Sequence, residues 1–163
     1  RILFYTDATW AEDQETRVSQ SGSIAFWKSC LILWNSKKQK KITLSSTESE
    51  MNVLSNGEQE NQWLKFLIEE LWKLKLDPTM FCVDNRGLME KLKNFGSNSK
   101  TKHLDIKIKN LHKKFNNKEI NVQLIPSELM IADFLSKAAP FSSVKKIQDK
   151  CLTVISSSNQ EGC

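Results

Sequence analysis

Four carboxylates in this chain stand where strand ends and helix starts would place them. Asp7 closes the apolar run ILFYTDA, Glu50 sits at the opening of an apolar helix in LSSTESE, Asp84 closes TMFCVD, and Asp133 lies in the short run IAD. Each has an ordinary account by itself. An Asp at a strand end starts turns, Glu50 three residues after Thr47 completes a capping-box pattern, and Asp133 could be a solvated helix residue. Brought into one small volume, however, like charges would raise one another's pKa and neutralise the cluster unless positive charge lay between them. Hard oxygen ligands with neither histidine nor thiolate select Mg2+ or Mn2+, and two such ions clamp a phosphodiester during in-line attack by water.

Helical geometry separates the two glutamates of the SSTESE run. At about 100° per residue, with Leu54 at zero, Glu50 falls at about −40°, beside Ile68 at about −40° and Leu64 at about −80°. Glu48 falls at about 120°, off that stripe. Glu50 is therefore expected to face the sheet, where a carboxylate is costly to desolvate unless a cation or a donor meets it.

The elements that must carry these acids are legible from pattern. ILFYTDA (2–8), SGSIAFWK (21–28) and LILWNS (31–36) read as strands, the last two as an antiparallel hairpin, and KKITLS (40–45) is expected to extend that sheet. Thr47 is expected to cap a long helix running to about Trp72. TMFCVD (79–84) is the next strand, followed by a short helix, NRGLMEKLK (85–93), and a polar linker, NFGSNS (94–99). Leu104, Ile108, Leu111 and Phe115 make one apolar helical stripe, INVQLIP (120–126) the last strand, and SELMIADFLSK (127–137) a last helix capped by Ser127. This order predicts an α/β fold with a five-stranded mixed sheet, three antiparallel strands followed by two parallel ones, flanked by helices. The expected division is a main domain over 1–138 and an appended helix with a loose tail over 139–163.

With 39% apolar and 26% charged residues in 163, the chain reads as one ordinary globular domain with no room for a second catalytic one. Its net charge of +5 is uneven. Between Lys91 and Lys118 stand nine lysines against one acid, Asp105, and a second basic knot, SKKQKK, runs from Ser36 to Lys41. Such clusters suit a phosphate backbone, although lysine also decorates solvated helix faces. The four cysteines show no C-x-x-C pairing and share no metal-ligand spacing with His103 or His112, so they read as reduced thiols of a cytosolic or nuclear protein, with Cys82 buried in a strand. No apolar run approaches the length needed to cross a bilayer, so no membrane partner is expected. The opening RILFYTD has no lead-in, as expected of a segment cut from a longer polyprotein.

The runs YTDATWAEDQETR, SGSIAFW, W-x-S-K-K-Q-K, LSSTESE, VDN, SKTKHLDI and ADFLSK together resemble, in order and spacing, the ribonuclease H domain at the end of copia-type retrotransposon polyproteins, over roughly residues 3–138. The resemblance implies an RNase H-like fold and cleavage of the RNA strand of an RNA:DNA hybrid with two Mg2+ ions, Mn2+ being able to serve. It carries the family's acid quartet onto Asp7, Glu50, Asp84 and Asp133. Asp7 would bridge both ions, Glu50 and Asp84 would hold the ion on the leaving-group side, and Asp133 would help hold the ion that activates water. Asn85, with Ser45 or Ser46, would touch 2′-hydroxyls of the RNA, and Lys100, Lys102 and His103 would form a phosphate-facing edge, His103 having a capping role as its alternative. An adjacent polymerase domain of the same polyprotein is the implied protein partner, and virus-like particles a further implied location.

The chain also departs from the family's pattern. Thr9 stands where the usual run has a second acid, Glu12 where it has Gly, and Met51 where it has Tyr. Glu58, Asn61 and Gln62 stand where small or apolar residues are usual, and Glu58 and Asn61 are expected on the inward face, where each needs a partner to avoid a cost on the order of 1–3 kcal/mol. These intrusions favour a second reading, an inactive relic domain that binds nucleic acid or protein, whereas the four intact acids favour the enzyme. A related two-metal enzyme acting on DNA, such as an integrase, shares the acids but not the SSTESE and TKHLD runs.

Overall fold

The alternation of β1 (Ile2–Thr9) puts Ile2 and Phe4 into one apolar core and Tyr5 into a second, which makes it a strand buried on both faces. The computed structural model describes residues 1–94, 102–137 and 141–151. In it β2 (Gln20–Trp27) pairs antiparallel with β1, and β3 (Cys30–Lys38) pairs antiparallel with β2. On the other side of β1, β4 (Thr79–Val83) and then β5 (Ile120–Leu124) add in parallel, giving the order β3-β2-β1-β4-β5. This is the expected five-stranded mixed sheet. The expected strand over 40–45 is absent, because β3 ends at Lys38 and the segment after it is irregular.

One face of the sheet is covered by α1 (Ser46–Trp72), α2 (Arg86–Lys93) and α3 (Lys102–Asn116). Their Leu54, Leu64, Leu88, Leu92 and Leu111 close on Phe4 and Phe81, whose rings stack at 5.1 Å. Gly57 lets α1 lie this close to β1, since a Cβ there would stand 3.1 Å from the Phe4 ring and 3.2 Å from Thr6 Cγ2. On the other face, Met130 and Ala132 pack on Tyr5, Ile24, Phe26 and Cys82. The single helix expected over 127–137 is instead a 3-10 turn (Ser127–Leu129) and one turn of α4 (Asp133–Ser136). The helix α5 (Phe141–Cys151) follows, and no described helix is long and apolar enough to cross a membrane.

The three polar residues that depart from the usual pattern of the long helix, Glu58, Asn61 and Gln62, have partners. Glu58, 2% exposed, accepts from Lys114 Nζ at 2.6 Å and from Gln62 Nε2 at 2.9 and 2.8 Å. Thr79 Oγ1 donates to Asn61 Oδ1 at 2.6 Å. The inward faces of Glu58 and Asn61 are thus as expected, and the desolvation cost they carry is offset by hydrogen bonds and one ion pair.

Candidate active site

The two central parallel strands end at the same rim of the sheet, which is where open α/β sheets place their chemistry. Asp7 stands near the end of β1 and Asp84 follows the last residue of β4. The first turns of α1 bring Glu50 over that rim. Oxygens of Asp7, Glu50 and Asp84 lie within 4.8 Å of one another.

The helix start settles which glutamate does this. The N-cap is Ser45, not Thr47, and its hydroxyl accepts the Glu48 N–H at 3.2 Å. Glu48 reaches back, its Oε2 accepting the Leu44 N–H at 2.8 Å. The capping partner is therefore Glu48, which frees Glu50 from that role. Glu50 is 4% exposed, and its Oε1 accepts the Ala8 N–H of β1 at 3.0 Å. Its Oε2 is buried with no hydrogen-bond partner among the described residues.

Asp7 is 6% exposed, and the buried Ser136 hydroxyl of α4 donates to its Oδ2. Burial pushes the Asp7 carboxyl up to about 6; the Ser136 hydrogen bond pulls it down, and the charges of Asp84 and Asp133 push it up. Burial raises Glu50 well above the carboxylate range too, Asp7 adding to the rise and the Ala8 N–H opposing it. Asp84 is half-buried and accepts from Ser127 Oγ at 2.8 Å, so Ser127 serves the site rather than a helix cap.

Asp133 is not part of the tight trio. It opens α4, forms an ion pair with Lys137 at 2.5 Å, and is near enough for its charge to act on Asp7. Lys137 is raised by its bond to Asp133 and by the charges of Asp133, Asp7 and Asp84, which makes it a cation set against the acid rim.

The remaining expected contacts divide. Asn85 is the N-cap of α2, its Oδ1 accepting from the Leu88 N–H at 2.9 Å and from Thr47 Oγ1 at 3.3 Å. Ser45 is engaged as the α1 cap, while Ser46 is exposed beside it. Lys100 lies outside the described residues, and Lys102 and His103 belong to α3 with their side chains outside them. Sequence reasoning flagged two basic clusters without joining them. Lys37, Lys38, Lys40 and Lys41 of the first and Lys107 of the second line one groove beside the start of α1, with Lys107 donating to Asn52 Oδ1 at 2.7 Å. The contact between Thr9 and Ser136 leaves no signal in local pattern, since 127 residues separate the pair.

A divalent ion fits this donor set. The three acids offer hard oxygens within one ion's reach, and a buried carboxylate oxygen without a hydrogen-bond donor wants a cation.

No family model matches the chain. It is 34% identical, over 82% of its length, to the retrovirus-related Pol polyprotein from transposon RE1 of Arabidopsis thaliana, and spans only 9% of that relative. Among solved structures, it is similar to LC11-RNase H1 in complex with an RNA/DNA hybrid, at a TM-score of 0.63 and 14% identity, covering 88% of this chain and 99% of that one. It is also similar to the protease-reverse transcriptase of prototype foamy virus, at a TM-score of 0.53 and 18% identity, covering 83% of this chain and 20% of that one.

Proposed function

This chain is a homologue of the retrovirus-related Pol polyproteins of plant transposons and has the RNase H fold, and from that premise we propose that it is a metal-dependent endoribonuclease cutting the RNA strand of RNA:DNA hybrids. The observation that carries this reading is the trio of Asp7, Glu50 and Asp84 with the unpartnered, buried Glu50 Oε2.

In this reading Asp7, Glu50 and Asp84 would hold Mg2+ or Mn2+, and Asp133, now paired with Lys137, would help hold a second ion. Bound divalent ions supply Lewis-acid activation of water and neutralise charge at the phosphodiester. The chain's own part is to position and to exclude water. The Ala8 N–H holds one Glu50 oxygen so that the other faces the cluster, and burial keeps the Asp7 and Glu50 carboxylates poorly hydrated and avid for a cation. The lysine groove from Lys37 to Lys41 and Lys107 takes the phosphate backbone. Ser46 and Asn85, at the starts of two helices linked by the Thr47 contact, flank the RNA strand. Lys100, Lys102 and His103 would add phosphate contacts, a role that rests on their basic run in the sequence alone.

The homologous polyproteins and the foamy virus chain, of which this fold is one part, support a polymerase domain as the neighbour in the full protein. The relic alternative drew on the polar residues of α1, and their pairing removes that ground. The test is cleavage of a labelled RNA:DNA hybrid, with duplex DNA and duplex RNA as controls, in Mg2+, Mn2+ and EDTA. Loss of the RNA strand alone, only with metal, is expected. A folded sample that cuts nothing under any of these conditions would return the relic reading.

A further inference from the structure

Asp7 and Thr9 lie two residues apart in β1 and so share a face of the sheet, the face on which α4 sits. Thr9 Oγ1 donates to Ser136 Oγ at 3.1 Å, and Ser136 Oγ in turn lies on Asp7 Oδ2. A hydroxyl has one proton. Accepting from Thr9 occupies a lone pair of Ser136 and turns that single proton toward Asp7, ahead of its other acceptor, the Asp133 carbonyl at 3.0 Å. Ser136 is fully buried, so water does not compete for it.

The placement of Ser136 is built into the sheet. Gly22 is the register partner of Asp7 on β2. A Cβ at Gly22 would stand 2.6 Å from the Ala132 carbonyl oxygen and 2.9 Å from both Ser136 N and Leu135 Cβ, so only glycine lets the α4 backbone come down onto the strand beside Asp7. From β3, Ser36 Oγ donates to the Leu135 carbonyl at 2.6 Å and ties the same turn in place.

We propose that Thr9 and Ser136 form a two-hydroxyl relay that engages Asp7 Oδ2 and leaves Oδ1 to a divalent ion, making both positioning residues for metal binding at this site. The relay rests on the metal-dependent reading above. Partners that orient a metal ligand from behind set affinity as well as geometry, and their loss commonly weakens binding 10- to 100-fold.

The test is Mn2+ binding to the full 163-residue chain by calorimetry, without nucleic acid, on the natural chain and on Thr9→Val, Thr9→Ser and Ser136→Ala. Thr9→Val keeps a β-branched shape in a strand, so it removes the hydroxyl with little change in packing. The expected result is Mn2+ affinity about tenfold lower for Ser136→Ala, about threefold lower for Thr9→Val, and within about twofold of the natural chain for Thr9→Ser. The double variant Thr9→Val/Ser136→Ala should bind no more weakly than Ser136→Ala alone, because residues in one relay do not add. Cleavage by Thr9→Val should recover at saturating Mn2+, which a purely structural defect would not allow. Natural affinity in a folded Thr9→Val overturns the relay and leaves the nuclease reading standing. A natural chain that binds no Mn2+ at millimolar concentration overturns both.

Discussion

Glu50 Oε1 accepts the backbone N–H of Ala8 at 3.0 Å. This one bond ties the second turn of α1 to the rim of β1 beside Asp7, and it leaves the other oxygen of Glu50 buried with no hydrogen-bond partner among the described residues. A glutamine at position 50 can keep the Ala8 bond but carries no charge. Glu50→Gln is therefore expected to fold and to lose cleavage to background. Glu48→Gln should cut within about threefold of the natural rate and lose less than about 1 kcal/mol from the helix cap. Rates on a labelled hybrid decide it, and the reverse ranking would sink the assignment of Glu50.

The raised acids set a pH dependence with a definite sign. Asp7 goes from 3.8 in the open chain to about 6 in the fold, so between those values the folded state holds a proton that the unfolded state has released. Stability of the metal-free protein then falls as pH rises through that window, by up to about 3 kcal/mol from Asp7, and Glu50 acts in the same direction. Asp7→Asn should abolish cleavage, leave hybrid binding roughly intact, and be more stable than the natural chain at pH 7 but not at pH 3.5. Urea denaturation at the two pH values in EDTA measures this, and Mn2+ should stabilise the natural chain more at pH 7 than at pH 5.

The Lys114–Glu58 pair should carry far more of the stability than its surface counterparts. Its side chains are only 17% and 3% exposed, whereas those of Lys73 and Glu70 are 79% and 59% exposed. Lys114→Met leaves a buried carboxylate with the Gln62 amide alone and is expected to cost about 3 kcal/mol in urea denaturation. Glu58→Gln in that background should recover most of the loss. Lys73→Met should cost less than about 1 kcal/mol.

The lysine groove predicts a salt signature. Lys41→Ala and Lys107→Ala should each weaken hybrid binding in EDTA and lower the slope of log affinity against log salt by about 0.9 if each meets one phosphate. Binding measured from 50 to 300 mM salt tests this. An unchanged slope would place the nucleic acid elsewhere.

What was legible in the sequence was what local periodicity encodes. The inward face of Glu50 followed from its angle to Leu54, Leu64 and Ile68, and the order of strands from apolar runs ending in acids. The helix cap lies two residues before Thr47, a difference that arises because Thr47 and Ser45 both suit a cap by residue type. The choice fell to Ser45 with Glu48, which leaves Glu50 for the sheet. The last helix is shorter than its pattern suggests, because SELMIADFLSK reads as continuous. Its chain instead breaks at Met130, so that Ser127 can meet Asp84 while Met130 packs on the sheet.

The sequence by itself determined the class of fold, the four acids, and which of two neighbouring glutamates turns inward, because those depend on residue type and on repeats of two or 3.6 residues. Only the tertiary structure decided that Asp133 stands apart from the trio of Asp7, Glu50 and Asp84, that Glu58 finds Lys114 56 residues away, that two lysine runs make one groove, and that Gly22 admits the turn bearing Ser136 to the side of Asp7. Such pairings follow from which chain segments meet once the apolar faces are buried, and no short-range pattern records them.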